Sequence, residues 1–153
     1  MERIALFKQY LSEKHDTTIF HEQYLNTIRE YAPGTDLYMR EMHFLIAADP
    51  EQAVSVSQLA QSLNVTLGAA SQMASKLEKK GLITRSPDPE DKRRTLVSLT
   101  PAGKKLYHEH LEYDKASLVQ LSQLFQDFTE DEMKKLIQAE QLFRQALQTK
   151  VHI

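Results

Sequence analysis

The sequence predicts a mainly α-helical fold carrying one small β-hairpin, and three observations predict it. Between Ser57 and Lys80, two short amphipathic helical stretches are joined by a tight turn. From Leu82 to Leu99 a strand, a charged turn-rich loop and a second strand follow one another. Long apolar-periodic stretches flank both, over residues 4–31 and 101–147. This is the order of parts in a winged helix-turn-helix framed by N- and C-terminal helices.

Residues Ile4 to Tyr31 read as helical, with Ile4, Phe7, Leu11, Phe20, Tyr24, Leu25 and Ile28 as apolar anchors and a break near Asp16 to Thr18. Ala32-Pro33-Gly34 stops that helix. Leu37 to Ala48 is a second helix, ended by Asp49-Pro50, and Val54 to Val56 fits a short strand against the wing. Ser57 caps the next helix, where Leu59, Ala60 and Leu63 share a face. Asn64 and Val65 form the turn, and Thr66 is the N-cap of a helix whose inward face is Ala70, Met73, Ala74 and Leu77.

That helix carries Gly68, Ala69, Ser71, Gln72, Ser75, Lys76 and Lys79 outward. Small side chains let a helix backbone sit deep in a major groove. Gln72 suits adenine, Ala69 a thymine methyl, and Ser71 or Ser75 bases or phosphates. For a lone Gln or Ser an ordinary solvated helix face is the better account, so the segment beyond the helix decides the matter. Gly81 takes the left-handed conformation that ends a helix, and Leu82 to Arg85 form a strand. Ser86 to Arg94 is turn-rich and cannot continue it, and Thr95 to Leu99 returns as a β-branched strand. Thr100 then caps, and Pro101 opens, a helix running to about Asp127. Thr129 and Glu132 form a capping box for a last helix with Met133, Leu136, Ile137, Phe143 and Leu147.

Charge is placed unevenly. Residues 71–105 hold nine basic residues against four acids, a net of +5, in a chain whose formal net charge is −2. A basic edge on an acidic body fits phosphate neutralisation. The 153 residues, 41% hydrophobic, can bury one good core. No apolar stretch is long enough to span a membrane and the start lacks a signal peptide's apolar segment, so a cytoplasmic protein without membrane contact is expected. With no cysteine there is no disulfide, thiolate metal site or cysteine-based peroxide sensing. There is no Gly-rich phosphate loop, no Gly-x-Ser-x-Gly and no His-Glu-x-x-His, so an enzyme is not expected, nor is a cofactor.

The segments LAQSLNV, SKLEKKGLITR and above all DPEDKRRTLVSLTPAG resemble the MarR family of bacterial transcription regulators. The Asp-x-Arg step at Asp91-Lys92-Arg93 and the Leu-Thr-x-x-Gly at Leu99 to Gly103 carry the resemblance. It implies a homodimeric repressor that binds a palindromic operator on double-stranded DNA through recognition helix 66–80 and wing 86–95. Residues 37–105 would be the DNA-binding domain, and residues 1–36 and 106–153 a helical dimerisation region. The residues expected on DNA are Thr66, Gly68, Ala69, Ser71, Gln72, Ser75, Lys76, Arg93 and Arg94. Asp91 would hold the hairpin by pairing with an arginine, and either Arg93 or Arg94 would enter the minor groove.

The resemblance also implies a small-molecule effector in a cleft beside the winged helix, for which Tyr24, Tyr31, Tyr38, Met42, His43 and Phe44 are the candidates. Arg40-Glu41-Met42-His43 with Val65-Thr66-Leu67-Gly68 is similar to the family's fatty-acid-biosynthesis repressors, which implies an acyl-type effector and control of fatty-acid synthesis genes. A zinc-responsive regulator is the alternative, motivated by Glu41, His43, His108 and His110, with His15 and His21. His108 and His110 lie about 200° apart on a helix, which argues against a shared ion, so no metal ligand is assigned. A winged helix used only for protein contacts is the remaining rival.

Overall fold

The computed structural model describes residues 2–150; Met1 and residues 151–153, at the outer ends of the two expected dimerisation segments, lie outside the described residues. The helices are α1 (Glu2–Leu25), α2 (Met39–Ala47), α3 (Val56–Ser62), α4 (Leu67–Lys79), α5 (Pro101–Gln123) and α6 (Glu130–Lys150). The strands are β1 (Ile28–Ala32), β2 (Thr35–Tyr38), β3 (Val54–Ser55), β4 (Ile83–Pro87) and β5 (Thr95–Leu99). The chain divides into two compact units, Met1–His110 and Leu111–Ile153.

The core of the first unit is built from Leu37, Met42, Phe44 and Leu45, from Leu59, and from Ala70, Ala74 and Leu77, closed by Ile83, Val97 and Leu106. Each fully buried Leu, Ile, Phe or Met contributes on the order of 1.5–3 kcal/mol. The inward face expected for α4, Ala70, Met73, Ala74 and Leu77, is the buried face observed. The three-stranded sheet runs β3-β5-β4, all antiparallel, so the strand expected near Val54 does pair with the wing, Val54 opposite Val97.

Several expected boundaries are corrected. The first helix runs unbroken through Asp16 to Thr18 and stops at Leu25, because residues 28–38 form an antiparallel hairpin in which Ile28 faces Tyr38 and Arg29 faces Leu37. Pro33-Gly34 is therefore the turn between two strands, and the second helix starts at Met39 rather than Leu37. The cap of α3 is Ser55, not Ser57: Ser55 Oγ accepts the Gln58 N–H (3.2 Å) while Gln58 Oε1 accepts the Ser55 N–H (3.1 Å). Strand β4 extends through Ser86 and Pro87, opposite Thr95. Because β4 is an edge strand, the missing proline N–H costs no ladder bond. Helix α5 ends at Gln123, four residues short of Asp127, and passes into tight turns such as Leu124 N–H to the Leu121 carbonyl (3.1 Å).

The second unit holds the rest of α5 and α6. The expected capping box opens α6: Glu132 Oε2 accepts the Thr129 N–H (2.8 Å), and Thr129 Oγ1 accepts the Glu132 N–H (3.3 Å). These bonds hold the Glu132 carboxyl below its ordinary value, the Thr129 backbone N–H contributing most. Large apolar side chains remain exposed along α5 and α6, among them Leu118, Leu121, Ile137 and Leu147, and in the turn between them at Leu124.

Candidate nucleic-acid interface

The turn between α3 and α4 is set by Asn64, whose φ of 53° lies in the left-handed region that Asn tolerates. Thr66 Oγ1 accepts the Ala69 N–H (3.1 Å) and caps α4, as expected. At the far end Gly81 (φ 70°) closes the helix: the Gly81 N–H reaches the Glu78 carbonyl (2.9 Å) and the Leu82 N–H the Leu77 carbonyl (3.0 Å), a Schellman motif. Helix α4 is thus fixed at both ends by local chemistry, and one face is buried. The opposite face is left for a partner.

The Leu-Thr-x-x-Gly stretch acquires a physical meaning here. Thr100 Oγ1 accepts the Gly103 N–H (3.1 Å) and donates to the Gly81 carbonyl (2.7 Å), so one hydroxyl caps α5 and ties it to the end of α4. A Cβ on Gly103 would lie 2.0 Å from the Leu82 carbonyl oxygen, so only glycine allows α5 to approach the backbone at the entry to β4 this closely.

The wing is braced by ion pairs. Arg85 Nε and Nη2 donate to Glu78 Oε2 (2.9 and 2.6 Å), its backbone N–H to Glu78 Oε1 (3.2 Å), and Nη1 to Ser75 Oγ (3.0 Å). The Arg85 guanidinium holds the Glu78 carboxyl below its ordinary value. At the wing tip Arg93 Nε donates to Asp91 Oδ1 (3.0 Å), which lowers the Asp91 carboxyl and raises the Arg93 guanidinium. Arg94 takes another direction: Nη1 lies 3.7 Å from Asp88, itself buried, and Nη2 donates to Ser55 Oγ (3.2 Å) at the start of α3. The Arg93 side chain is 90% exposed and that of Arg94 45%.

Of the nine residues expected on DNA, Thr66, Gly68, Gln72 and Lys76 are exposed on α4, Ala69, Ser71 and Ser75 are half-buried there, and Arg93 and Arg94 stand on the wing. Ser75 is engaged with Arg85 and with the Ser71 carbonyl (2.9 Å). A cleft of about 490 Å³ opens beside α4 and is shared with α1 and α2. Its apolar lining includes Leu25, Leu63, Val65 and Met73, and Arg40, His43 and Lys76 supply polar and basic groups. Among the six effector-pocket candidates, His43 lines this cleft. Met42 and Phe44 instead lie fully buried in the core, Tyr31 packs edge-on against His110 (5.7 Å), Tyr38 lies under Lys76 (5.8 Å), and Tyr24 stands beside His43 (6.5 Å). Sequence reasoning missed Glu78 and Arg85, an opposite-charge pair seven residues apart that becomes a contact only once Gly81 reverses the chain. Among the described residues no three His, Asp or Glu side chains gather to hold a metal ion, and no helix is long and apolar enough to cross a membrane.

A helix-turn-helix followed by a basic two-stranded wing defines a winged helix-turn-helix protein. The MarR family model matches residues 37–95 of this chain. An uncharacterised HTH-type transcriptional regulator of Bacillus subtilis (strain 168), YhjH, is 30% identical over 115 residues, which cover 75% of this chain and 64% of that protein. The chain thus spans a little under two thirds of that relative's length. The same fold occurs in ZitR, a zinc-responsive MarR family member of Lactococcus lactis (TM-score 0.69, 22% identity, 93% of this chain and 99% of that one). It occurs also in Streptococcus pneumoniae FabT, solved in complex with DNA (TM-score 0.64, 24% identity, 94% and 96%).

Proposed function

We propose that this protein is a dimeric, ligand-responsive transcriptional repressor that reads a palindromic operator with α4 and steadies it with the wing. The observation that carries the proposal is the outward face of α4, small and polar from Thr66 to Lys76, beside a wing whose Arg93 is 90% exposed. Arg93 is the minor-groove residue in this reading, since Arg94 braces the wing through Asp88 and Ser55. FabT, which shares the fold, was solved in complex with DNA, and this supports DNA as the partner.

A second copy of this chain is the partner of the terminal helices. Ile4, Phe7 and Phe20 of α1, and Leu136, Ile137, Leu142 and Leu147 of α6, are exposed, more apolar side chain than a monomer ordinarily shows to water. The cleft beside α4 is the effector site. Its apolar floor and its Arg40 and Lys76 suit an anionic amphipathic molecule, which agrees with an acyl-type effector and control of fatty-acid synthesis genes. Because Gln72 and Lys76 line the cleft and also stand on the reading face, a ligand there and DNA must alter each other's affinity. The zinc-responsive reading draws its support from the fold shared with ZitR.

The test is a fluorescence-anisotropy titration with duplex from the region upstream of the protein's own coding sequence and with a scrambled duplex, at two salt concentrations, then with acyl-loaded carrier protein or zinc added. Specific, salt-sensitive binding altered by the acyl effector is the expected result. Absence of binding even at low salt overturns the DNA reading in favour of a protein-interaction module.

A further inference from the structure

Glu41 is the one acidic side chain in the fully buried core among the described residues, at 2% exposure, and it lies under the C-terminal half of α4. Its Oε2 accepts from Lys80 Nζ (2.8 Å) and from the Tyr38 N–H (3.2 Å), and its Oε1 lies 3.9 Å from Lys76 Nζ. Lys80 Nζ also donates to the Asp36 carbonyl (2.7 Å). The polar partners of the carboxylate are therefore two lysines at the end of α4 and the N–H of Tyr38, the last residue of β2.

A buried carboxylate is retained only where cations and N–H donors replace the water it has lost. Here the Tyr38 N–H is the local capping-box partner at the start of α2, while Lys80 and Lys76 come from the distant end of α4, so the carboxylate ties the start of α2 to α4. We infer that Glu41 is a positioning residue: it pins the C-terminal end of α4 through Lys80 and offsets the charge of the exposed Lys76, which sets the angle and charge that α4 offers to DNA. The inference rests on the reading of α4 as the DNA-reading helix. Loss of the Glu41 charge frees Lys76 for phosphates while loosening the helix end, so sequence-independent affinity rises as discrimination falls.

The test compares Glu41→Gln, which keeps a carbonyl for the Tyr38 N–H, with Lys80→Met and the conservative Lys80→Arg. Hydrogen exchange at residues 76–82 and 35–41 is expected to quicken about tenfold in Glu41→Gln and Lys80→Met, with α3 and the wing hairpin unchanged and Lys80→Arg close to wild type. In duplex titrations Glu41→Gln should lower the ratio of cognate to scrambled affinity about tenfold and steepen the salt dependence by about one phosphate contact. Unchanged exchange at the end of α4, or a fall of both affinities in equal proportion, overturns the inference. The exchange arm needs no DNA, so it decides the positioning role even if wild-type protein discriminates no duplex, an outcome that defeats the DNA reading separately.

Discussion

The winged helix and the terminal helices handle the same kind of apolar periodicity in opposite ways. In residues 37–106 the apolar face of each helix is buried: Leu37, Met42, Phe44, Leu59, Ala74 and Leu77 have almost no exposure, and caps close α3, α4 and α5. In α1 no side chain is buried, and among the described side chains of α6 none is buried either, although both carry Leu, Ile and Phe at helical spacing. Periodicity predicts that a helix has an apolar face; whether that face is covered depends on what else the chain can supply. The first region covers its own apolar faces, whereas the second leaves its apolar side chains exposed in the single chain.

The strongest way to break the self-contained half is Gly103→Ala. A Cβ 2.0 Å from the Leu82 carbonyl cannot be absorbed by a side-chain rotation, so a loss of about 3 kcal/mol or more is expected in urea denaturation. An alanine variant as stable as wild type would mean that α5 does not seat at the entry to β4 as described. On the other half, Ile137→Glu should weaken self-association by tenfold or more in sedimentation while leaving the winged helix folded. Equal association in the variant removes α6 from the dimer surface.

Effects on DNA come next in size. Gln72→Ala should cost about 1–3 kcal/mol of discrimination at one base pair, and Arg93→Ala should weaken binding to all duplexes and reduce the salt slope by about one. Gly68→Ala separates folding from reading. Its Cβ would meet nothing closer than Thr66 Oγ1 at 4.0 Å, so stability should hold or rise by up to about 1 kcal/mol while operator affinity falls. The smallest effect is on pH. Glu78 and Asp91 are held below the ordinary carboxylate value by Arg85 and Arg93, so their stabilising contribution is present above about pH 4 and is lost as pH falls through their lowered values. Arg85→Ala should flatten the Glu78 part of that acid limb in a thermal-melt series.

The winged helix was legible because its signals are local. Thr66, Gly81 and Thr95 to Leu99, and outside the winged helix the Thr129–Glu132 box of α6, each announce a cap, a turn or a strand within a few residues, and each stands where expected. The hairpin of residues 28–38 was not legible as such, since Tyr24, Leu25 and Ile28 also fit a helical stripe. Its signal was Pro33-Gly34 between two short runs, with Arg29 and Tyr31 alternating inward. At the candidate site, exposure on α4 followed from helical phase. The bracing pairs Glu78–Arg85, Arg94–Asp88 and Glu41–Lys80 depend on tertiary approach, which spacing alone does not carry.

The proposed division between a reading half and a pairing half is tested most directly by the stoichiometry of the operator complex in analytical ultracentrifugation. Two chains per duplex, falling to weak single-chain binding in Ile137→Glu, is the predicted result. A saturable, sequence-specific complex of one chain per duplex, unchanged by that substitution, would contradict it.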